Sequence, residues 1–397
     1  MLLFMLLTLS PQTHALVDEH FLPRYWSAVW SLLHAGGMAA STHKRKLSFI
    51  EALYAHTEGL GGNLDDALSA LDFDALGNTL EAYFISLRNA PEPSPQAEAR
   101  WTQAFQFVRN TCDRIARNPA AGNRMETVRS HVERLDRLYL ALRPHRTRMK
   151  PSVRALPTPV VMELLDLVEP NSSANPFERV ETQWRIYCLI LLMLYQGLRR
   201  GETLTLKANS LQSQRDARTG QFRWLLHVST NETEDDPRAD IPGIKTVNSV
   251  RTIPMTGTTA TAVQAYLENY RGRVKHGFLI SSVRGLPMSI EGVSKAFQRL
   301  TTALSANSRA ELLRLTGTPC LTPHALRHTC AVLRMKQLLK LGNSPEQAMS
   351  HLRSFFGWSR TSTMPLHYAK AALDERLNET WHDGLDKRLE VLRNLPQ

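Results

Sequence analysis

Five short stretches of the chain carry side chains suited to gripping an anion and moving protons. "YQGLRRGETLTL" offers Arg199 and Glu202, "GIKTVNSVRTIP" offers Lys245, "LTPHALRHT" offers His324 and Arg327, "FFGWSR" offers Trp358, and "LHYAK" offers Tyr368. Guanidiniums hold oxyanions through paired hydrogen bonds, an ammonium or imidazole gives and takes protons, and a phenol can serve as a nucleophile. Singly, each residue also has a structural reading. Arg199 fits a cation at a helix C-terminus, His324 after Pro323 fits a first-turn residue facing solvent, and Trp358 fits a core. What matters is whether they act together.

Such groups need a scaffold, and 397 residues suffice for two or three domains with a sizeable core. Hydrophobic residues at 43% and charged residues at 21% are ordinary for a globular protein. The charge balance is not: 48 Lys+Arg against 37 Asp+Glu leaves +11, which points to a polyanionic partner, nucleic acid ahead of a membrane. Cys112, Cys188, Cys320 and Cys330 show neither a CxxC pair nor metal-ligand spacing. They read as free thiols in a reducing, cytoplasmic setting. The opening "MLLFMLLTLSPQTHA" imitates a signal peptide but lacks a basic start, and its apolar run is too short to span a bilayer. A buried N-terminal segment or an over-long start is the preferred reading. The run "YCLILLMLY" (187–195) is also too short and fits a central core helix.

The first 140 or so residues read as helical. "STHKRKLSFIEALYAHTEG" opens on a Ser/Thr capping signal and ends in Gly, and "SLRNAPEPSPQAEAR" is a proline-bearing linker. Met125, Val128, Val132, Leu135, Leu138, Tyr139 and Leu142 recur at three and four, one apolar helix face. "RPHRTRMKPSVR" (143–154) follows as an extended basic segment, a linker that becomes a strap across a phosphate backbone if the partner is DNA. Beyond it a buried helix ends at "QGLRRGE". "FRWLLHVST" (222–230) and "VRTIPM" (250–255) predict strands, and helices then run to the end. The acidic stretch "TNETEDDPRADIPG" predicts an exposed loop pointing away from any polyanion.

In this order the pieces resemble the tyrosine recombinase (phage integrase) family. "GLRRGE…L" matches its first arginine box, "KTVNSVRTIP" its lysine hairpin, "HALRHT" its His-x-x-Arg box and "FFGWS…Y" its last box with the nucleophile. The resemblance runs from about Leu156 to Tyr368; the first half is similar more loosely, through its helical pattern and "STHKRKLSFIEALY". It implies that Arg199 and Arg327 bind the non-bridging oxygens of a phosphodiester and that Tyr368 attacks phosphorus, giving a 3′-phosphotyrosyl link and a free 5′-hydroxyl. Lys245 then protonates the leaving oxygen, His324 acts as acid/base near the tyrosine, and Trp358 stands where many relatives carry histidine. Its indole N–H can donate to a phosphate oxygen but cannot shuttle a proton. Glu202, three residues after Arg199, braces it. Arg200 points elsewhere, since one step along a helix turns a side chain by about 100°. His328 is read as packing under its helix.

The predicted fold is mainly α with a small antiparallel sheet. Residues 1–148 form a helical core-binding domain ending in the basic linker, and 149–397 form the catalytic domain with a tail helix. Lys44, Arg45, Lys46, Arg146, Arg148 and Lys150 are the candidate DNA contacts. The implied activity is site-specific cleavage and rejoining of double-stranded DNA, without metal, ATP or other cofactor. It is carried out by a homotetramer on paired sites that is monomeric when free. Leu373, Leu377, Trp381 and Leu385 form the apolar stripe of a tail that would link protomers. The length favours a mobile element over a host resolvase of the Xer type; a type IB topoisomerase and a non-catalytic DNA-binding relative are the competing readings. Two departures from the family stand out: Trp358 and Tyr368 lie ten residues apart, one more than expected, and Pro365 falls between them. These predict a bent or extended helix at the tyrosine.

Overall fold

The computed structural model describes residues 6–10, 13–91, 94, 96–117, 124–144, 155–215, 220, 222–231, 234–244 and 249–369. Lys245, Arg146, Arg148, Lys150 and the tail with Leu373, Leu377, Trp381 and Leu385 lie outside the described residues. The chain divides into two compact units, Met1–Met149 and Lys150–Gln397.

In the first unit, β1 (Leu6–Ser10) pairs antiparallel with β2 (Thr13–Leu16). The described end of the apolar N-terminal stretch, residues 6–10, is therefore a strand, part of a pair that the helical reading of this half did not foresee. Five residues are too few for a stable helix and enough for a strand. Helices α1 (Tyr25–His34), α2 (Ala40–Gly59), α3 (Leu64–Ala70), α4 (Phe73–Arg88), α5 (Ala97–Ala116) and α6 (Arg124–Tyr139) follow. Asn63 caps α3 and Asp72 caps α4 through side-chain oxygens that accept first-turn N–H groups. Helix α2 starts at Ala40 after Ala39, which offers no side-chain cap, so the Ser/Thr signal at 41–42 falls inside the helix instead of before it. Helix α5 packs against both α2 and α6. Trp101, Phe107, Tyr54, Leu47, Ile50 and Leu53 fill the core between these helices.

In the second unit, α7 (Thr158–Val168) leads to α8 (Val180–Leu194), whose Ile186, Cys188, Leu189, Ile190, Leu192 and Met193 are all buried. This is the central helix that the run at 187–195 predicts. After α9 (Arg200–Thr205) come β3 (Leu211–Arg215), β4 (Phe222–Val228) and β5 (Arg251–Met255), an antiparallel sheet in the order β3-β4-β5. The sequence flags β4 and β5 but not β3, whose "LQSQR" is nearly all exposed and carries no apolar alternation. Helices α10 (Gly257–Ala265), α11 (Ile290–Ala303), α12 (Ala306–Thr316), α13 (Pro323–Lys340) and α14 (Pro345–Phe356) complete the unit, and residues 364–369 are again helical. Helix α13 packs on α8 and α14.

Two local expectations need correction. The acidic loop before Lys245 is not simply exposed. Arg238, 8% exposed, pairs with Asp236 and donates to the carbonyls of Leu204 and Met288 at 3.1 and 3.0 Å. Glu234 pairs with Lys207 and accepts from the Gly277 N–H at 2.7 Å. The carboxylates are matched by nearby cations and donors, so part of the loop packs down. Nor does Pro365 bend the tyrosine's helix. It sits in the first turn of the 364–369 segment, where a missing N–H costs nothing because first-turn donors have no intrahelical partner. Between Gly357 and Thr363 the chain is not helical.

Candidate active site

Arg199 ends the turn that leaves α8 and caps α9. The turn depends on Gly197, at φ +59°, where an added Cβ would come within 2.3 Å of the Phe356 ring and 3.1 Å of Cys330 Sγ. Gly201 allows a second close approach, since a Cβ there would meet the Gly243 carbonyl at 2.5 Å. The "GLRRGE" glycines thus let backbone run against α14 on one side and against the chain leading to Lys245 on the other.

Glu202 is the hub. It is 1% exposed, and its carboxylate accepts the Arg199 N–H at 3.0 Å and the Arg199 guanidinium at 2.5 Å. Arg251 Nη2 reaches it at 3.0 Å and Arg327 Nη1 at 3.5 Å. Burial alone would raise this carboxyl, but Arg251, Arg327 and Arg199 overcome it and hold Glu202 below the usual carboxylate range. Three arginines distant in sequence are thereby gathered on one buried anion. Arg200 turns away, as expected, with Nη1 3.4 Å from Ser294 Oγ.

Each arginine is also tied elsewhere. Arg199 Nη1 donates to Ser249 Oγ at 3.1 Å. Arg327, 2% exposed, donates to the carbonyls of Gly197 and Phe356, the latter at 2.8 Å. Its guanidinium also lies over the Phe356 ring at 4.8 Å. Burial pushes the Arg327 pKa down to about 9, with Glu202 acting upward, so it remains a cation at neutral pH. Arg251 donates from Nε to the Phe355 carbonyl at 2.8 Å and from Nη1 to the Ser249 carbonyl at 2.6 Å.

Arg251 was not singled out by the sequence reading, which gave the "KTVNSVRTIP" stretch only one chemical residue, Lys245. A signal existed. Arg251 alternates with Ile253 (2% exposed) and Met255 (7%) along β5, so it shares their inward face. A cation on an inward face requires a buried anion.

Tyr368 is 1% exposed, and its hydroxyl oxygen lies 2.6 Å from Nδ1 of His328. Trp358 stacks on the tyrosine ring at 5.5 Å and 7°, and on Phe356 at 4.7 Å and 14°. Burial pushes the phenol up to about 12, against the opposing pull of Arg327 and Arg199. His324 is exposed at the first turn of α13 and meets the His328 ring edge to face at 4.3 Å. His328 is buried, as its sequence reading held, but that reading did not find its contact with the tyrosine. Arg199, Glu202, Arg327, Trp358 and Tyr368 are thus brought into one neighbourhood. Lys44, Arg45 and Lys46 lie in the other unit on α2, flanked by the buried His43 and Leu47, with Arg45 the most open of the three.

The arrangement pairs cationic donors for an oxyanion with a buried phenol, in a chain whose profile matches the phage integrase family over residues 156–374, more than half its length. The chain belongs to that family and is a tyrosine recombinase. Its fold is similar to that of the XerA recombinase, at 16% identity and a TM-score of 0.36 over 84% of this chain and 97% of that one. It is also similar to the XerH site-specific recombinase bound to its difH substrate before cleavage (12% identity, TM-score 0.44, 75% of this chain and 66% of that one). The post-cleavage XerH complex on a palindromic difH substrate gives 13% and 0.49 over 86% and 79%. No curated protein matches the chain.

Among the described residues no helix is long and apolar enough to cross a membrane.

Proposed function

We propose that this recombinase cleaves and rejoins double-stranded DNA with Tyr368 as nucleophile, Arg199 and Arg327 on the scissile phosphate, Lys245 as acid to the leaving 5′-oxygen and His324 as a further proton donor and acceptor. The observation that carries the reading is that residues 199, 327 and 368, far apart in sequence, share one neighbourhood: Arg199 and Arg327 meet on Glu202, and the Arg327 guanidinium lies 5.7 Å from the ring of Trp358, which stacks on Tyr368 at 5.5 Å. Attack by the phenolic oxygen forms an O–P bond as the 5′-oxygen leaves with a proton. The phosphodiester is exchanged for a phosphotyrosyl ester, so the bond energy is kept for religation.

The two arginines differ in access. The Arg199 side chain is 24% exposed and that of Arg327 only 3%, so Arg199 meets the phosphate first. Arg327 supplies fixed positive charge from beneath, as a preorganised site requires. With Tyr368 1% exposed, its hydroxyl must be uncovered before it reaches phosphorus. Trp358 contributes its ring face to the tyrosine. The first unit serves as the core-binding domain, with Lys44, Arg45, Lys46, Arg146, Arg148 and Lys150 on the phosphate backbone. The working form is a tetramer on paired sites, in the service of a mobile element.

The test is Tyr368→Phe, which removes only the phenolic oxygen. Duplex binding should persist while the covalent adduct on a nicked suicide substrate disappears from a denaturing gel. An adduct formed by the Phe variant would place the nucleophile elsewhere.

A further inference from the structure

His328 has no part in the roles above, yet among the described residues it is in hydrogen-bond contact with the tyrosine's reactive atom. It follows Arg327 directly on α13, is 9% exposed, and presents Nδ1 to the Tyr368 oxygen at 2.6 Å. The two rings lie 5.6 Å apart and tilted by 48°, and it is the ring nitrogen Nδ1 that meets the hydroxyl. His324 stands one helical turn earlier on the same face, its ring 4.3 Å from that of His328. It is the more exposed of the two histidines. The other side of the phenol is closed by the Trp358 ring.

We infer that His328, not His324, takes the hydroxyl proton of Tyr368 as the tyrosine attacks phosphorus. The inference rests on Tyr368 being the nucleophile. The imidazole begins as the Nε2–H tautomer, with its Nδ1 lone pair accepting the phenol O–H. As the phenolic oxygen forms its bond to phosphorus, the O–H bond breaks and the proton passes to Nδ1, giving an imidazolium. The P–O5′ bond breaks with its electron pair, and the 5′-oxygen takes its own proton from another donor, Lys245 in the reading above. Religation runs the same transfers backward and returns the proton to the tyrosine. His324, exposed and against the His328 ring, is placed to exchange charge with solvent.

The need for such an acceptor follows from the tyrosine's surroundings. A phenol buried to this extent is a poorer acid than a free one, its pKa pushed to about 12 by burial in spite of Arg327 and Arg199, with Cys330 adding to the rise. In this covered state it does not ionise at neutral pH, so the proton is still on the oxygen when the ring is uncovered for attack, and His328 is already in contact with it. A neighbouring base must remove the proton during attack, and such assistance is worth roughly 10²–10⁴-fold in rate. A bond that merely latched the tyrosine in place would predict the opposite consequence, faster cleavage once it is removed.

His328→Asn keeps an acceptor oxygen near the Nδ1 position but cannot be protonated. Single-turnover adduct formation on a nicked suicide duplex should fall on the order of 10²-fold or more, with duplex affinity unchanged. Replacing Tyr368 with a ring-fluorinated tyrosine, a stronger acid, should recover at least about a tenfold part of that loss in the Asn variant and little in the parent. Cleavage by His328→Asn at or above the parent rate, or a defect untouched by fluorination, would overturn the assignment. Should the variant fold poorly, imidazole ¹⁵N spectra of the unaltered protein decide instead. An Nε2–H, Nδ1-acceptor tautomer for His328 supports the role, and an Nδ1–H tautomer refutes it. An adduct formed by Tyr368→Phe, in contrast, would defeat the nucleophile reading itself and is scored separately.

Discussion

The site has two sides held by different physics. Around Glu202, three guanidiniums are fixed by a buried carboxylate and by backbone carbonyls of residues 197, 249, 355 and 356. Around Tyr368, the hydrogen-bond contact with His328 and a stack of rings through Trp358 and Phe356 hold the phenol among the described residues. Directional bonds in a buried, charge-balanced cluster leave little freedom, and a group that stabilises a charged transition state gains from having none. Ring stacking is worth only about 0.5–1.5 kcal/mol per pair beyond its area, so what uncovering the phenol must overcome is mainly the non-directional burial it shares with Ala331, Leu352 and Phe356. The rigid side fits an anion that arrives, and the looser side fits a nucleophile that has to move toward it.

Breaking the hub should have the largest effect. Glu202→Ala removes the common anion and strands Arg251 and Arg327 without it, which should cost about 3–5 kcal/mol of stability and abolish adduct formation. Denaturant unfolding with a suicide-substrate assay checks both, and a loss below about 1 kcal/mol would mean that the carbonyls alone hold the cluster. The pH dependence has a definite sign. Because the folded Glu202 pKa lies below its unfolded value, its contribution is present above the ordinary carboxylate range and is lost as pH falls through the depressed value. The parent should therefore lose stability on acidification more steeply than Glu202→Ala does.

A smaller effect is expected where one spoke is cut. Arg251→Met keeps bulk on the inward face of β5 but drops the bonds to Glu202, Ser249 and Phe355. Hydrogen bonds to charged groups contribute roughly 1.5–3 kcal/mol each, so a stability loss of about that size is expected, with cleavage falling more than DNA affinity. Equal losses in both would make Arg251 a DNA contact instead of a brace.

The smallest effect belongs to the aromatic side. Trp358→Phe preserves a ring between Phe356 and Tyr368, and should change stability by no more than about 1.5 kcal/mol and the cleavage rate by only a few-fold. A loss of 10²-fold would show that the indole N–H, not the ring face, is what the reaction uses.

The stretches bearing Arg199, His324, Arg327, Trp358 and Tyr368 stood out in the sequence through their resemblance, in that order, to the boxes of one family. The central helix and strands β4 and β5 were legible because apolar periodicity reports burial directly. Strand β3 was not, since a polar edge strand has no such period. The N-terminal hairpin was missed because a short apolar run has no distinguishing period. Glu202 could be named as a brace for Arg199, its neighbour by three. That it also collects Arg251 and Arg327 depends on contacts across 49 and 125 residues, which no local pattern encodes. The same holds for His328. The sequence placed it beside Arg327 on a helix, but which ring it meets is decided forty residues away, by how the segment bearing Tyr368 packs against α13. Side-chain type and local spacing set which groups the chain owns, and only the packing of distant elements decides which of them touch.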